Sequence, residues 1–265
     1  MLIDLAVNPF EADVGWMVEM AVAAEERGYA AVWVADHFSG AVVDRRWSRD
    51  PFVCLGAIAA STQQVDLGVL VANMRNRHPA QLASAVNSLQ SLAPGRVRLG
   101  IGSGAVPDSR FAAEHEAIGT DLADAAGRRG QLDDSITALR SIWSGERDHE
   151  VASPARFVGL DGVVDGAGAP PIVVGASAWP TIQVALTYAD GVNLRWTSTL
   201  LGVLERIGEV SHGSFEVSVL GAYDDLAEQS EPFDTLADAG VDRVVLGISA
   251  PHDPDALRPA GAARK

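Results

Sequence analysis

Eight short apolar runs rich in β-branched residues, separated by longer stretches with helical spacing, constrain this chain more than any other feature. The runs cover 2–7, 31–35, 65–71, 96–101, 172–174, 191–194, 216–220 and 243–248. Between them the spacing of apolar positions predicts helices over 14–27, 51–62, 79–92, 128–143, 181–188, 200–210 and 233–239. In the first of these, Met17, Met20, Ala21 and Ala24 form one apolar stripe, and Gly28 stands where a helix C-cap is expected. Pro51 suits a first helical turn, where its missing N–H needs no partner.

Parallel strands need a crossover between them, so the alternation predicts an α/β chain whose strands run parallel. A (β/α)8 TIM barrel over residues 1–250 fits the count, and 265 residues suit a fold that runs to about 250. A doubly wound open sheet of eight strands would show the same alternation, and periodicity alone leaves both open. Residues 147–169 lack helical periodicity and carry Gly159, Gly162, Gly166 and Gly168, which predicts a long rim loop with a small hairpin around 155–160. Residues 251–265 hold three prolines and few apolar positions, and are expected to form a flexible tail.

In a barrel, function gathers at the C-terminal strand ends. After the second run stand Asp36 and His37. A histidine there can move a proton or donate to a ring carbonyl, and a neighbouring carboxylate can orient it. A loop cap beside a satisfied histidine is the equal alternative. Arg75, Arg77 and His78 follow the third run, where they can hold an anion or simply cap the next helix. Gly100-Ile101-Gly102-Ser103-Gly104 ends the fourth run; its spacing is not that of a dinucleotide-binding fingerprint, and it follows the wrong strand for one. Gly175-Ala176-Ser177 precede a helix, as a phosphate site or a plain tight turn would. Trp33, Phe38, Trp47, Trp179 and Trp196 can stack on a ring system, though core or rim packing is the commoner use of such residues.

Several chemistries are set aside. The formal charge of −15 opposes nucleic acid and anionic membrane surfaces as partners, leaving a small-molecule substrate. Cys54 is the single cysteine and sits in an apolar run, so it reads as a buried inert thiol. The six histidines form no HxH, HxxH or HExxH pair, so no metal site is expected. The single lysine, Lys265, lies outside the strands, which removes Schiff-base chemistry from the barrel. No signal peptide or apolar stretch approaching the ~20 residues of a bilayer span is visible, and a cytoplasmic location is expected.

Taken in order, Glu26-Arg27-Gly28-Tyr29, Val32-Trp33-Val34-Ala35-Asp36-His37-Phe38, Leu67–Val71, Arg77-His78-Pro79-Ala80, Ala93–Gly104 and Pro170–Ala176 with Ala189-Asp190-Gly191 resemble the luciferase-like monooxygenase superfamily. The likeness covers about 2–195 and is thin beyond Thr197. It implies a luciferase-like (β/α)8 barrel, here with a shortened C-terminal half. Asp-His-Phe after the second strand with the glycine-rich fourth strand end is similar to the branch dependent on the deazaflavin coenzyme F-420, with FMN as the alternative. By that resemblance Asp36 and His37 are the catalytic residues at the reactive ring face. Leu70 and Val71 would form a bulge with a cis peptide behind the ring, Ser103 and Gly104 would lie beside the ring or its side chain, and Gly175, Ala176 and Ser177 would receive the phosphate. Ala105 stands where the sugar-phosphate dehydrogenases carry a catalytic glutamate. The implied reaction is hydride transfer to or from a small organic substrate. An FMN-dependent monooxygenase is the alternative, as is a non-catalytic flavin-binding relative whose mouth would lack a facing His37. The family's habit of pairing implies a homodimer, and the short C-terminal half implies a reduced substrate lid.

Overall fold

A computed structural model of the chain describes residues 1–211, 213–224 and 231–261. Its strands are β1 (Leu2–Val7), β2 (Ala31–Val34), β3 (Asp66–Asn73), β4 (Val97–Gly102), β5 (Ile172–Gly175), β6 (Gly191–Arg195), β7 (Glu216–Ala222) and β8 (Arg243–Ile248). Each pairs in parallel with its sequence neighbours, and β8 returns to β1, so the sheet is a closed barrel. The doubly wound alternative is excluded by that last pairing, in which Leu2 sits opposite Arg243 and Val7 opposite Ile248.

The helices are α1 (Val14–Glu26), α2 (Pro51–Ser61), α3 (Pro79–Leu92), α4 (Ala113–Ala117), α5 (Ala125–Trp143), α6 (Trp179–Tyr188), α7 (Leu200–Val210) and α8 (Glu231–Asp238). Side-chain caps fix several starts: Asp13 accepts from Gly15 N–H, Asp50 from Phe52 and Val53, and Asp124 from Gly127. The Asp124 cap starts α5 ahead of its apolar stripe, three residues before the predicted Arg128. The predicted stripe of α1 is realised, with Met17, Met20, Ala21 and Ala24 fully buried against the barrel.

Inside the barrel, the Trp33 ring lies on Gly68, where any Cβ would run into it. Its Nε1 donates to Asp4 Oδ2 at 3.0 Å. Below it, a charged layer closes the N-terminal face. Arg243 donates to Asp4 at 2.9 Å and to Glu216 at 2.8 Å, and Arg98 donates to Glu216 at 2.6 Å. Ion pairs at this face of a barrel support stability, while the opposite face is left for chemistry.

Two expectations about loops meet different outcomes. The rim segment before β5 holds neither helix nor strand, and its one sheet-like contact pairs His149 with Phe157 rather than forming a hairpin over 155–160. The expected flexible tail is instead docked over its described part. Trp16 Nε1 donates to the His252 carbonyl, Tyr29 hydroxyl to the Arg258 carbonyl, and Ala260 N–H to the Arg27 carbonyl. This segment therefore runs along α1 from start to end and buries Leu257 and Ala260. Composition hid it, because backbone carbonyls rather than apolar side chains supply most of its anchors. Residues 262–265 lie outside the described residues.

Candidate active site at the barrel mouth

The C-terminal strand ends enclose a cavity of about 550 Å³ whose wall includes His37, Phe10, Phe111, Arg45, Arg110 and Arg195. It continues into a smaller hollow of about 190 Å³ over β3, β5 and β6, sharing Leu70, Arg195 and Leu220 with it. Gly175, Ala176 and Ser177 line the smaller hollow together with Val71. A hollow at the other end of the barrel, lined by Arg98, Arg140, Asp190 and Glu216, is bordered by charges already paired to one another.

His37 follows β2 and stands between two rings, Phe10 and Phe111, each 5.5 Å away centre to centre. Its Nδ1 donates to Glu114 Oε1 at 2.8 Å. Glu114 belongs to α4, is 2% exposed, and also receives Ser39 N–H. A carboxylate accepts only, so it holds the proton on Nδ1 and leaves Nε2 as the lone-pair nitrogen. Among the described residues that nitrogen has no hydrogen-bond partner, which is the arrangement a proton acceptor at a cavity wall requires.

The carboxylate that orients His37 is therefore not Asp36, its sequence neighbour. Asp36 is turned away and buried, accepting Asn73 N–H at 3.0 Å and Arg77 at 3.3 Å, and it lines neither cavity. Burial raises its carboxyl above the usual range, and the Arg77 guanidinium only partly offsets that. Arg77 also bonds Asp50, the cap of α2, at 2.6 Å, while His78 Nδ1 accepts Ala80 N–H and caps α3. For Arg77 and His78 the structural alternative is thus the one realised: they tie β2 and β3 to the following helices. Asn73 extends this net, since its Nδ2 donates to His115 Nε2 at 2.9 Å.

Strand β3 is interrupted between Val69 and Ala72, and the Leu70–Val71 peptide is cis, as the family likeness implied. Val71 fills the notch beneath the smaller hollow. A Cβ on Gly102 or on Gly175 would each stand 2.8 Å from a Val71 methyl. The glycine of β4 thus makes room for the β3 bulge. Ser103 and Gly104 line neither cavity; Gly104 adopts φ +83° and packs on the Arg75 side chain. Helix α6 opens on Ala178 with no side-chain cap. Ala176 N–H is already given to the Asn193 carbonyl at 2.9 Å, so only its neighbours can donate to a ligand.

The aromatic candidates separate by place. Trp33 fills the barrel, Trp196 lines the mouth, Trp47 lies beneath Arg46, and Trp179 beneath Arg206. Sequence reading missed Glu114, Phe10, Phe111 and the mouth arginines. Five residues are too few for α4 to show a helical period, and nothing local marks a loop after β4 as reaching the end of β2. Among the described residues no group of three or more His, Cys, Asp or Glu is placed to hold a metal, and no helix is long and apolar enough to cross a membrane.

The family described as luciferase-like monooxygenase matches residues 6–211. An F-420-dependent glucose-6-phosphate dehydrogenase of Nakamurella multipartita is 31% identical over 179 residues, covering 66% of this chain and 50% of its own. An F-420-dependent hydroxymycolic acid dehydrogenase of Mycobacterium tuberculosis is 33% identical over 177 residues, covering 66% of this chain and 47% of its own. The chain spans about half the length of these curated relatives. Among solved structures, an F-420-dependent secondary alcohol dehydrogenase with an F-420-acetone adduct superposes with TM-score 0.80 at 15% identity, covering 99% of this chain and 96% of that one.

Proposed function

Because the chain belongs to the luciferase-like monooxygenase family, we propose that it is an oxidoreductase that uses coenzyme F-420 to move a hydride to or from a small organic substrate. Sequence relatives that are F-420-dependent dehydrogenases support the choice of coenzyme. The observation that carries the reading is His37, held by Glu114 with its free nitrogen at the wall of a cavity that adjoins the Leu70–Val71 bulge. A non-catalytic relative is the less supported reading, since its mouth was expected to lack a facing His37.

The residues suit the coenzyme. Leu70 and Val71 offer an apolar backing for a flat ring, and the uncapped start of α6 beside Gly175 and Ser177 offers N–H groups to a phosphate. Bound there, the deazaflavin ring supplies a carbon that accepts or gives a hydride. The chain's own contribution is the proton. When a hydroxyl is oxidised, a hydride leaves the carbon and a proton leaves the oxygen, and His37 Nε2 takes that proton; in reduction it returns it. Phe10 and Phe111 hold the imidazole in place and keep water from its faces. Asp36 acts at one remove, fixing the β3 end through Asn73 and Arg77. Ser103 and Gly104 are given no part in this reading.

The test is a fluorescence titration of the purified chain with F-420 and, separately, with FMN. Uptake of F-420 alone at micromolar or tighter affinity is expected. Uptake of FMN alone would move the assignment to a monooxygenase, and uptake of neither would overturn it.

A further inference from the structure

Among the described residues, every charged side chain that lines the larger cavity is an arginine, in a chain where 35 acidic residues outnumber 20 basic ones. The side chains of Arg110 and Arg195 make no ion pair or hydrogen bond among the described residues; Arg110 lies with its guanidinium 4.9 Å above the Phe111 ring. Arg45 shares one carboxylate with Arg46: Glu11 meets Arg46 Nε at 2.6 Å and Arg45 at 3.3 Å. Two guanidinium groups against one carboxylate leave a net positive charge at the rim. Among the described residues no acid lines the cavity to neutralise any of it.

We propose that the mouth takes a small organic anion, a carboxylate or phosphate monoester on a flat apolar body, whose charge is received by Arg45 and Arg110. This rests on the reading of the site as an F-420-dependent centre. The two hollows divide the arginines. Arg195 borders both, so its charge also faces the hollow assigned to the coenzyme, while Arg45 and Arg110 border only the cavity that holds His37. Arg110 lies over Phe111, and Phe111 stacks on His37, so the cation stands one ring away from the proton-transfer nitrogen. A planar guanidinium with free N–H groups suits a bidentate oxyanion, and Phe111 with Trp196 offers apolar faces for the body of the ligand. In a strongly acidic protein such a patch also concentrates anions locally instead of repelling them.

The test uses the chain loaded with F-420, titrated by calorimetry at low salt with benzoate, phenyl phosphate and neutral benzyl alcohol. At least one anion is expected to bind about tenfold or more tightly than the alcohol. In Arg110→Gln and Arg45→Gln that preference should shrink toward parity, with coenzyme affinity held within about twofold of the parent. Equal binding of charged and neutral probes, or binding of none, overturns the proposal. Loss of coenzyme affinity in the two variants also overturns it, by assigning these arginines to the coenzyme. If the parent chain fails to take up F-420, the functional reading falls instead, and the same three probes on the unloaded chain still decide the anion preference.

Discussion

His37 Nδ1 lies 2.8 Å from Glu114 Oε1, and this bond decides which imidazole nitrogen is offered to the cavity. Replacing Glu114 by Gln lets an amide N–H face Nδ1 and favours the opposite tautomer, which takes the lone pair away from Nε2. Turnover is expected to fall about 10- to 100-fold in Glu114→Gln and about 10²- to 10⁴-fold in His37→Ala, with coenzyme affinity little changed in both. Imidazole nitrogen NMR reads the tautomer independently of any substrate. An unchanged His37 tautomer and parental turnover in Glu114→Gln would show that the bond positions nothing.

Val71 and the two glycines facing it make a second relationship open to test. Gly175→Ala or Gly102→Ala sets a methyl 2.8 Å from Val71, and overpacking of this kind costs ~1–3 kcal/mol. Adding Val71→Ala to Gly175→Ala vacates the space, so the double variant is expected to be more stable than the sum of the two single losses. Urea unfolding measures the cycle. Simple additivity would mean that the notch relaxes without using Val71.

The strand count was legible in the sequence itself, while the closure of the barrel, which periodicity left open, and the cis peptide at Leu70–Val71 came with the family likeness. Strand runs declare themselves by composition, whereas the cis peptide came with a family likeness and with nothing that local spacing could give. His37 was legible as a candidate because it follows a strand end. Its true partner was not: Asp36 adjoins it in the chain, but side chains one residue apart point in different directions, and Asp36 turns to Arg77. Glu114 reaches His37 only through the tertiary path of the β4–α5 loop, a kind of contact that no periodicity encodes. Gly102 shows why a glycine-rich strand end is ambiguous, since a glycine that admits a ligand and one that admits Val71 look the same in sequence.

His115 predicts a pH dependence. Its ring is fully buried, its Nε2 accepts from Asn73, and its Nδ1 has no partner among the described residues. Burial lowers its pKa from the ordinary 6.5, and Arg75 and His37 add to that against the opposing pull of Glu114. A base whose folded pKa is depressed binds its proton more readily when unfolded. Its contribution is therefore complete above 6.5 and is lost as pH falls through the lower folded value. His115→Gln, which keeps an acceptor for Asn73, should flatten the acid limb of a urea-unfolding series below neutral pH. A series that superposes on the parent would place the acid sensitivity elsewhere.

Asp4 predicts the opposite slope. It is fully buried beneath Trp33, and desolvation pushes its carboxyl up to about 6 although Arg243 and the Trp33 N–H both favour the charged form. The folded state then holds a proton on Asp4 that the unfolded chain gives up near 3.8, so stability is fully present below that value and declines as pH rises toward about 6. The difference in unfolding free energy between the parent and Asp4→Asn should carry this slope alone, because His115 is common to both. At neutral pH, Arg243→Met strips Asp4 of the guanidinium that favours its charged form, so the buried carboxyl takes up a proton, and a buried pair broken on one side costs up to ~3–5 kcal/mol. Asp4→Leu combined with Arg243→Met removes both charges and should recover much of that loss, with Glu216 still held by Arg98 at 2.6 Å. Recovery would mean that the pair closes the barrel base by mutual compensation. A double variant as unstable as the sum of its parts would mean instead that each charge is needed for its other contacts, Asp4 to Trp33 and Arg243 to Glu216.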